Sequence, residues 1–312
     1  MQGPCSGKSR GLRYNQTRQN ESSLTPHKKM PDSHELLSSR SAVLVNALST
    51  LAPVRAILCY GSYAMGTSDA SSDIDLYVIC HPHIVAAHER QAAFLQAGEV
   101  AELRLDFGQP AWDNQWCPCN DHLRLNGMQF DIVYNTLGWV QAVISQVKTR
   151  GATSITELKF RPYTFLGMLE NSVILYDAEG ILHRMVENLY PYPPALRQSL
   201  MTASLEVIHG SLEDMQDYTR RNIGNTAFLF HFWRVIDAIS TLLFALNERY
   251  DPATKRLEQV YRRLPIMPAN FLERYNQLLE TPLTPPGRLK IVAGLQGLAA
   301  EIEELARLPD AG

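Results

Sequence analysis

Cysteine is scarce in this chain of 312 residues. There are five, an odd number without a regular spacing. That excludes a disulfide framework and suits a reducing cytoplasm. A dominant charge is missing too: the formal net charge is −3. Nothing global draws the chain to nucleic acid or to a membrane. No apolar run is long and clean enough to be read as a membrane span. The longest, Phe228 to Leu246, is interrupted by His231, Arg234 and Asp237 and reads as a buried core helix. The N-terminal stretch has no apolar signal core, so the expected location is cytoplasmic. What remains is the composition of an ordinary globular protein, long enough for two domains.

One stretch organises the rest. Val54-Arg55-Ala56-Ile57-Leu58-Cys59-Tyr60 is a short apolar run ended by Gly61-Ser62, and it reads as a buried strand. The polar Thr67 to Ser72 makes a turn. A second strand runs from Asp73 to Cys80, opening Asp73-Ile74-Asp75. Residues i and i+2 of a strand point to the same side, their Cα atoms roughly 6.5 Å apart. Asp73 and Asp75 therefore share a face. Two adjacent carboxylates repel each other unless a cation lies between them, and oxygen ligands suit Mg²⁺. Glycine at 61 lets a backbone approach phosphate closely, and Ser62 adds a hydroxyl donor. A helix starting just after them would favour a triphosphate.

Further on, Leu123-Arg124-Leu125, Asn126-Gly127 and Met128 to Tyr134 form a hairpin pattern, since Asn-Gly suits a type I′ turn. Its second strand carries Phe130-Asp131-Ile132-Val133 and can lie beside the Asp73/Asp75 strand.

Gly61-Ser62, then Asp73-x-Asp75, then Asp131 between apolar residues resembles the nucleotidyltransferase superfamily of DNA polymerase β type. The resemblance covers about residues 40 to 150. It implies a small mixed β-sheet catalytic domain with flanking helices. It implies Asp73, Asp75 and Asp131 as catalytic metal ligands for two Mg²⁺ ions, with Asp131 either a ligand or the base. It implies Gly61, Ser62 and Ser72 at the nucleotide. The implied reaction moves a nucleoside monophosphate, AMP from ATP, onto a hydroxyl of a small-molecule acceptor such as an antibiotic. Two alternatives stay open: a toxin-like enzyme modifying tRNA or a protein, and a non-catalytic nucleotide-binding module.

The organisation is read as α+β. Residues 1–32 form a basic, disordered tail, 33–150 the catalytic domain, 151–194 a connecting region and 195–308 a C-terminal helical bundle. The bundle resembles, more loosely, that of bacterial nucleotidyltransferase-domain proteins. Asp32 or Ser33 is expected to cap a first helix. In the connecting region, Ser172 to Tyr176 reads as a strand or extended piece. From Ala195 the chain reads as helical to Asn247, with a pause near Gly210 or Gly224.

Several groups have a plainer reading beside a functional one. His81, His83 and His88 are expected at the surface. Cys117, Cys119 and His122 lack a second ligand pair for structural zinc. Glu102 and Asp106 are expected to form ion pairs on a solvent face rather than a cleft base. His231, Arg234, Asp237 and Thr241 make a polar stripe in which Arg234 and Asp237 could pair at i, i+3. Arg220 and Arg221 are expected to be solvated.

Overall fold

The computed structural model describes residues 31–106, 116–153, 161–253 and 255–307. The basic tail through residue 30 lies outside these, as do the Asp32 and Ser33 side chains read as caps.

Among the described residues, six strands form one mixed sheet: β1 (Val54–Tyr60), β2 (Ile74–Cys80), β3 (Val100–Arg104), β4 (Cys119–Leu125), β5 (Met128–Thr136) and β6 (Val173–Asp177). Their order is β3-β4-β5-β2-β1-β6. The pair β2/β5 is parallel and its neighbours are antiparallel. The hairpin between β4 and β5 turns on Asn126 (φ 50°) and Gly127 (φ 78°), the double positive φ that a type I′ turn needs. The Asn126 side chain also accepts from the Glu99 amide at 3.0 Å, fastening the turn to the strand beside it. The extended piece expected after Ser172 is β6, and it pairs with β1 at the sheet edge.

Alternation along the strands sorts the sheet into two faces. Ile74, Leu76, Val78 and Cys80 of β2, with Phe130, Ile132 and Tyr134 of β5, join one core cluster. That cluster packs under α1 (Pro31–Ser49) and α3 (Ala87–Ala97). Tyr77, Ile79 and Val133 face the other way. They meet α4 (Leu137–Arg150), α5 (Pro162–Glu170), α6 (Ile181–Glu187) and the start of α7 (Pro194–Arg220). Because β2 is covered on both faces, its sequence is apolar throughout beyond Asp75. By the same parity Asp75 and Asp131 point to the side of Tyr77 and Val133, toward the helical half.

The helical half is built on α7 and α8 (Asn225–Leu246), joined by α9 (Leu257–Tyr261), α10 (Phe271–Glu280) and α11 (Pro285–Arg307). The apolar face of α8 fills the centre of this cluster, with Phe228, Val235, Leu242 and Leu243 fully buried. Length and composition alone would let α8 cross a membrane, but 72% of its apolar window is buried inside the protein, as befits a core helix. The break between α7 and α8 falls at Arg221 to Gly224, while Gly210 is inside α7. The pause expected near Gly210 or Gly224 is thus the one at Gly224; Gly210 does not break α7, since one glycine costs a helix only about 1 kcal/mol.

Other side chains take structural roles. Arg90, 2% exposed, bonds the fully buried Asp121 through Nε (2.7 Å) and Nη2 (3.0 Å), and Asp106 through Nη2 (2.6 Å). Glu102 meets Arg124 at 3.3 Å. Neither Glu102 nor Asp106 reaches the cleft as a base; both form the ion pairs of the plainer reading. His81, His83 and His88 are exposed. Arg220 and Arg221 are exposed and pair with Asp217. Asp106, Cys119 and Asp121 come within metal-ligand reach of one another, but Arg90 already pairs with both acids.

Candidate active site

Register assembles the site. Tyr60 of β1 lies opposite Asp75 of β2, Asp75 opposite Asp131 of β5, and Asp131 opposite His122 of β4. Laterally paired residues share a face, so these four form a row across the sheet. Asp73, two residues before Asp75, joins the same side. Asp73, Asp75 and Asp131 each offer an oxygen within 4.8 Å of the others.

Burial and mutual repulsion mark the cluster electrically. The Asp75 carboxyl is pushed up to about 7, first by burial and then by Asp73 and Asp131; the Lys255 charge opposes the shift. Asp131 is also raised, chiefly by burial, with His122 pulling the other way through a hydrogen bond. The ring Nδ1 of His122 meets Asp131 Oδ1 directly.

Gly61 sits at the end of β1 with φ +70°. A Cβ there would fall well inside contact distance of Asp75 Oδ2, so glycine is required for the carboxylate to stand where it does. The helix expected after it, α2 (Gly61–Ala64), is a single turn. That is too short for a helix dipole to contribute as expected; the local amides and the Ser62 hydroxyl remain. Ser72 is engaged in the turn before β2: its Oγ accepts from the Asp69 amide at 2.9 Å and donates to Asp69 Oδ1 at 3.2 Å.

All six residues singled out from the sequence line one cleft of about 1640 Å³: Gly61, Ser62, Ser72, Asp73, Asp75 and Asp131. The helical half supplies the opposite wall. Asp237 accepts a bidentate ion pair from Arg161 (2.9 and 2.5 Å), and this replaces the i, i+3 pairing with Arg234 expected from sequence. Arg234 lies over the Phe230 ring instead. Trp233, 56% exposed, lines the same wall. Lys255 and Arg256 also line the cleft, and Arg256 pairs with Asp69 at 2.6 Å. The approach of these helical residues was not legible beforehand, because they come from separate segments brought together by tertiary packing. From sequence His122 stands only as a poor zinc ligand; the hairpin register is the signal that it opposes Asp131.

Comparison with known proteins decides the class. Residues 42–148 match the model of the nucleotidyltransferase domain. The chain carries a nucleotidyltransferase domain. Residues 160–257, which hold Arg161, Trp233, Asp237 and Arg256, match a domain of unknown function, DUF4037. No curated protein matches the chain. Among solved structures, a nucleotidyltransferase-like protein from Exiguobacterium sibiricum 255-15 is 13% identical, with 86% of this chain and 77% of that one covered and a TM-score of 0.41. A spectinomycin adenyltransferase from Enterococcus faecialis, solved with ATP and spectinomycin, is 12% identical, with 88% and 97% covered and a TM-score of 0.28.

The donor set of the nucleotidyltransferase domain fits a hard divalent cation. It is all oxygen, it converges, and burial together with mutual repulsion disfavours ionisation until positive charge arrives.

Proposed function

We propose that this enzyme transfers a nucleoside monophosphate, AMP from ATP, to a hydroxyl of a small-molecule acceptor and releases pyrophosphate. The observation that carries the reading is the convergence of Asp73, Asp75 and Asp131 within 4.8 Å inside a large cleft.

Asp73, Asp75 and Asp131 would hold Mg²⁺, two ions in the full site. When bound there, Mg²⁺ would lower the pKa of an acceptor hydroxyl and neutralise charge on the phosphates. The remaining work belongs to the chain. Gly61, having no side chain, leaves the Asp75 carboxylate and the phosphates room to meet. The Ser62 hydroxyl and nearby amides donate to phosphate oxygens. Ser72 holds the turn that delivers Asp73. Lys255 brings positive charge to the cleft within electrostatic reach of Asp75. In the transfer, the acceptor hydroxyl gives up its proton to Asp131 or to water, its oxygen bonds the α-phosphorus, the bond from that phosphorus to the bridging oxygen breaks, and pyrophosphate departs.

The cleft supports a small acceptor. Its volume of about 1640 Å³ exceeds the roughly 300–1,000 Å³ of an ordinary ligand pocket, leaving room for a nucleotide and a second small molecule. The wall carrying Arg161, Trp233 and Asp237 is where that molecule would lie, opposite the carboxylates.

The test uses ATP radiolabelled at the α-phosphorus, with Mg²⁺, offered to a panel of antibiotics and sugars and, separately, to tRNA and protein extract. Label on a small molecule, lost in Asp73→Ala, is expected. Label confined to tRNA or protein would overturn the acceptor class. Equal label transfer by Asp73→Ala would overturn the assignment of the carboxylates.

A further inference from the structure

The three carboxylates differ in what holds them still. Asp75 is wedged against Gly61 and half-buried among the sheet residues. Asp131, between Asp75 and His122 in the row, has a side chain that is 39% exposed. A short carboxylate side chain with that freedom would sample several orientations, and a metal would have to order it on binding. The structure supplies a brace: His122 is the cross-strand partner of Asp131, on the same face, and its Nδ1 contacts Asp131 Oδ1. With Asp131 ionised, a carboxylate can only accept, so the nitrogen facing it carries the hydrogen. His122 is itself set by β4, where Leu123 and Leu125 are buried on the opposite face and the neighbouring Asp121 is locked by Arg90. The brace therefore stands on a rigid element.

We propose that His122 is a positioning residue, fixing the Asp131 carboxylate through Nδ1 so that the three acids are pre-arranged for a divalent cation. Hydrogen bonds to ligating carboxylates commonly govern metal affinity by about 10- to 100-fold. The inference rests on Asp73, Asp75 and Asp131 being the metal ligands, and it adds a residue outside that set. It also ties the hairpin to the site, because the two-residue turn at Asn126-Gly127 sets the register that brings His122 opposite Asp131.

The test is binding of Mn²⁺ alone to the full chain, followed by the electron paramagnetic resonance of the free ion. His122→Phe keeps a ring and removes the donor. His122→Asn keeps an amide hydrogen near the Nδ1 position and removes the ring. The Phe variant is expected to bind Mn²⁺ about tenfold or more weakly, and the Asn variant within about threefold of the wild type. Both should melt as the wild type does, since the His122 side chain is partly exposed. Wild-type affinity in the Phe variant overturns the proposal. So does an Asn variant as weak as the Phe variant, which would place the role in the ring or its far nitrogen. Asp75→Asn serves as the control. If it too binds Mn²⁺ normally, the carboxylate assignment fails and this inference with it; if it loses binding while His122→Phe does not, only the brace fails.

Discussion

Replacing Asp75 by Asn should abolish nucleotidyl transfer and at the same time stabilise the metal-free protein. The Asp75 carboxyl titrates at about 7 against an ordinary value of 3.8, raised first by burial and then by Asp73 and Asp131. The folded state thus keeps a proton that the unfolded chain releases near pH 4. Metal-free stability must fall as pH rises from about 4 toward 7 and stay low above that. Taken in full, the displacement is worth about 4 kcal/mol at pH 8. Relaxation of Asp73 and Asp131 would recover part of this, and about 2 kcal/mol is the expected gain from the neutral amide, or roughly 4–8 °C in melting temperature. The assay is thermal unfolding in a chelator at pH 4.5 and pH 8. The variant should exceed the wild type only slightly at the lower pH and several-fold more at the higher. Added Mg²⁺ should raise the wild-type melting temperature and leave the variant nearly unmoved. A variant no more stable at pH 8, or stabilised equally at both pH values, would refute the reasoning.

Three further substitutions test the scaffold. Gly61→Ala places a Cβ against Asp75 at a φ of +70°; it should cost about 1–2 kcal/mol in denaturant unfolding and at least about a hundredfold in turnover. Arg90→Met leaves Asp121 buried without its partner and should lose about 3–5 kcal/mol in urea, a loss below about 1 kcal/mol counting against the network. Gly167→Ala drives a methyl into the Asp251 carbonyl, where α5 meets the segment after α8, and should cost about 1–3 kcal/mol by thermal melting while leaving Mn²⁺ affinity unchanged.

The parts of this molecule legible in its sequence are those governed by local pattern. The apolar runs at Val54 and Ile74, the Asn126-Gly127 turn and the i, i+2 spacing of Asp73 and Asp75 are short-range signals, and each element stands close to its expected place. The three carboxylates were selected by motif, and the parallel pairing of β2 with β5 brings them together. What stayed hidden depends on contacts between distant segments. The Arg161–Asp237 pair spans 76 positions, so Asp237 could only be matched with its helical neighbour beforehand. The strand at Val173 could be read as extended, but its place beside β1 is a matter of topology. Helices α5 and α6 carry no clear sequence signal; seven of the nine residues of α5 are buried, and a segment buried nearly all round has little amphipathic period to detect.

The placement of β6 bears on how this protein can be cut. The match to the nucleotidyltransferase domain ends at residue 148, and β6 is encoded after it, within the region matching the second family. A fragment ending near 148 would keep every carboxylate and still lose the strand that covers the outer edge of β1. The backbone amides and carbonyls of Val54–Tyr60 that β6 satisfies would then face solvent in a segment almost wholly apolar. Such an edge invites pairing between chains. Expressed alone, the catalytic half should be sticky rather than merely inactive, and a useful boundary for it lies beyond Asp177.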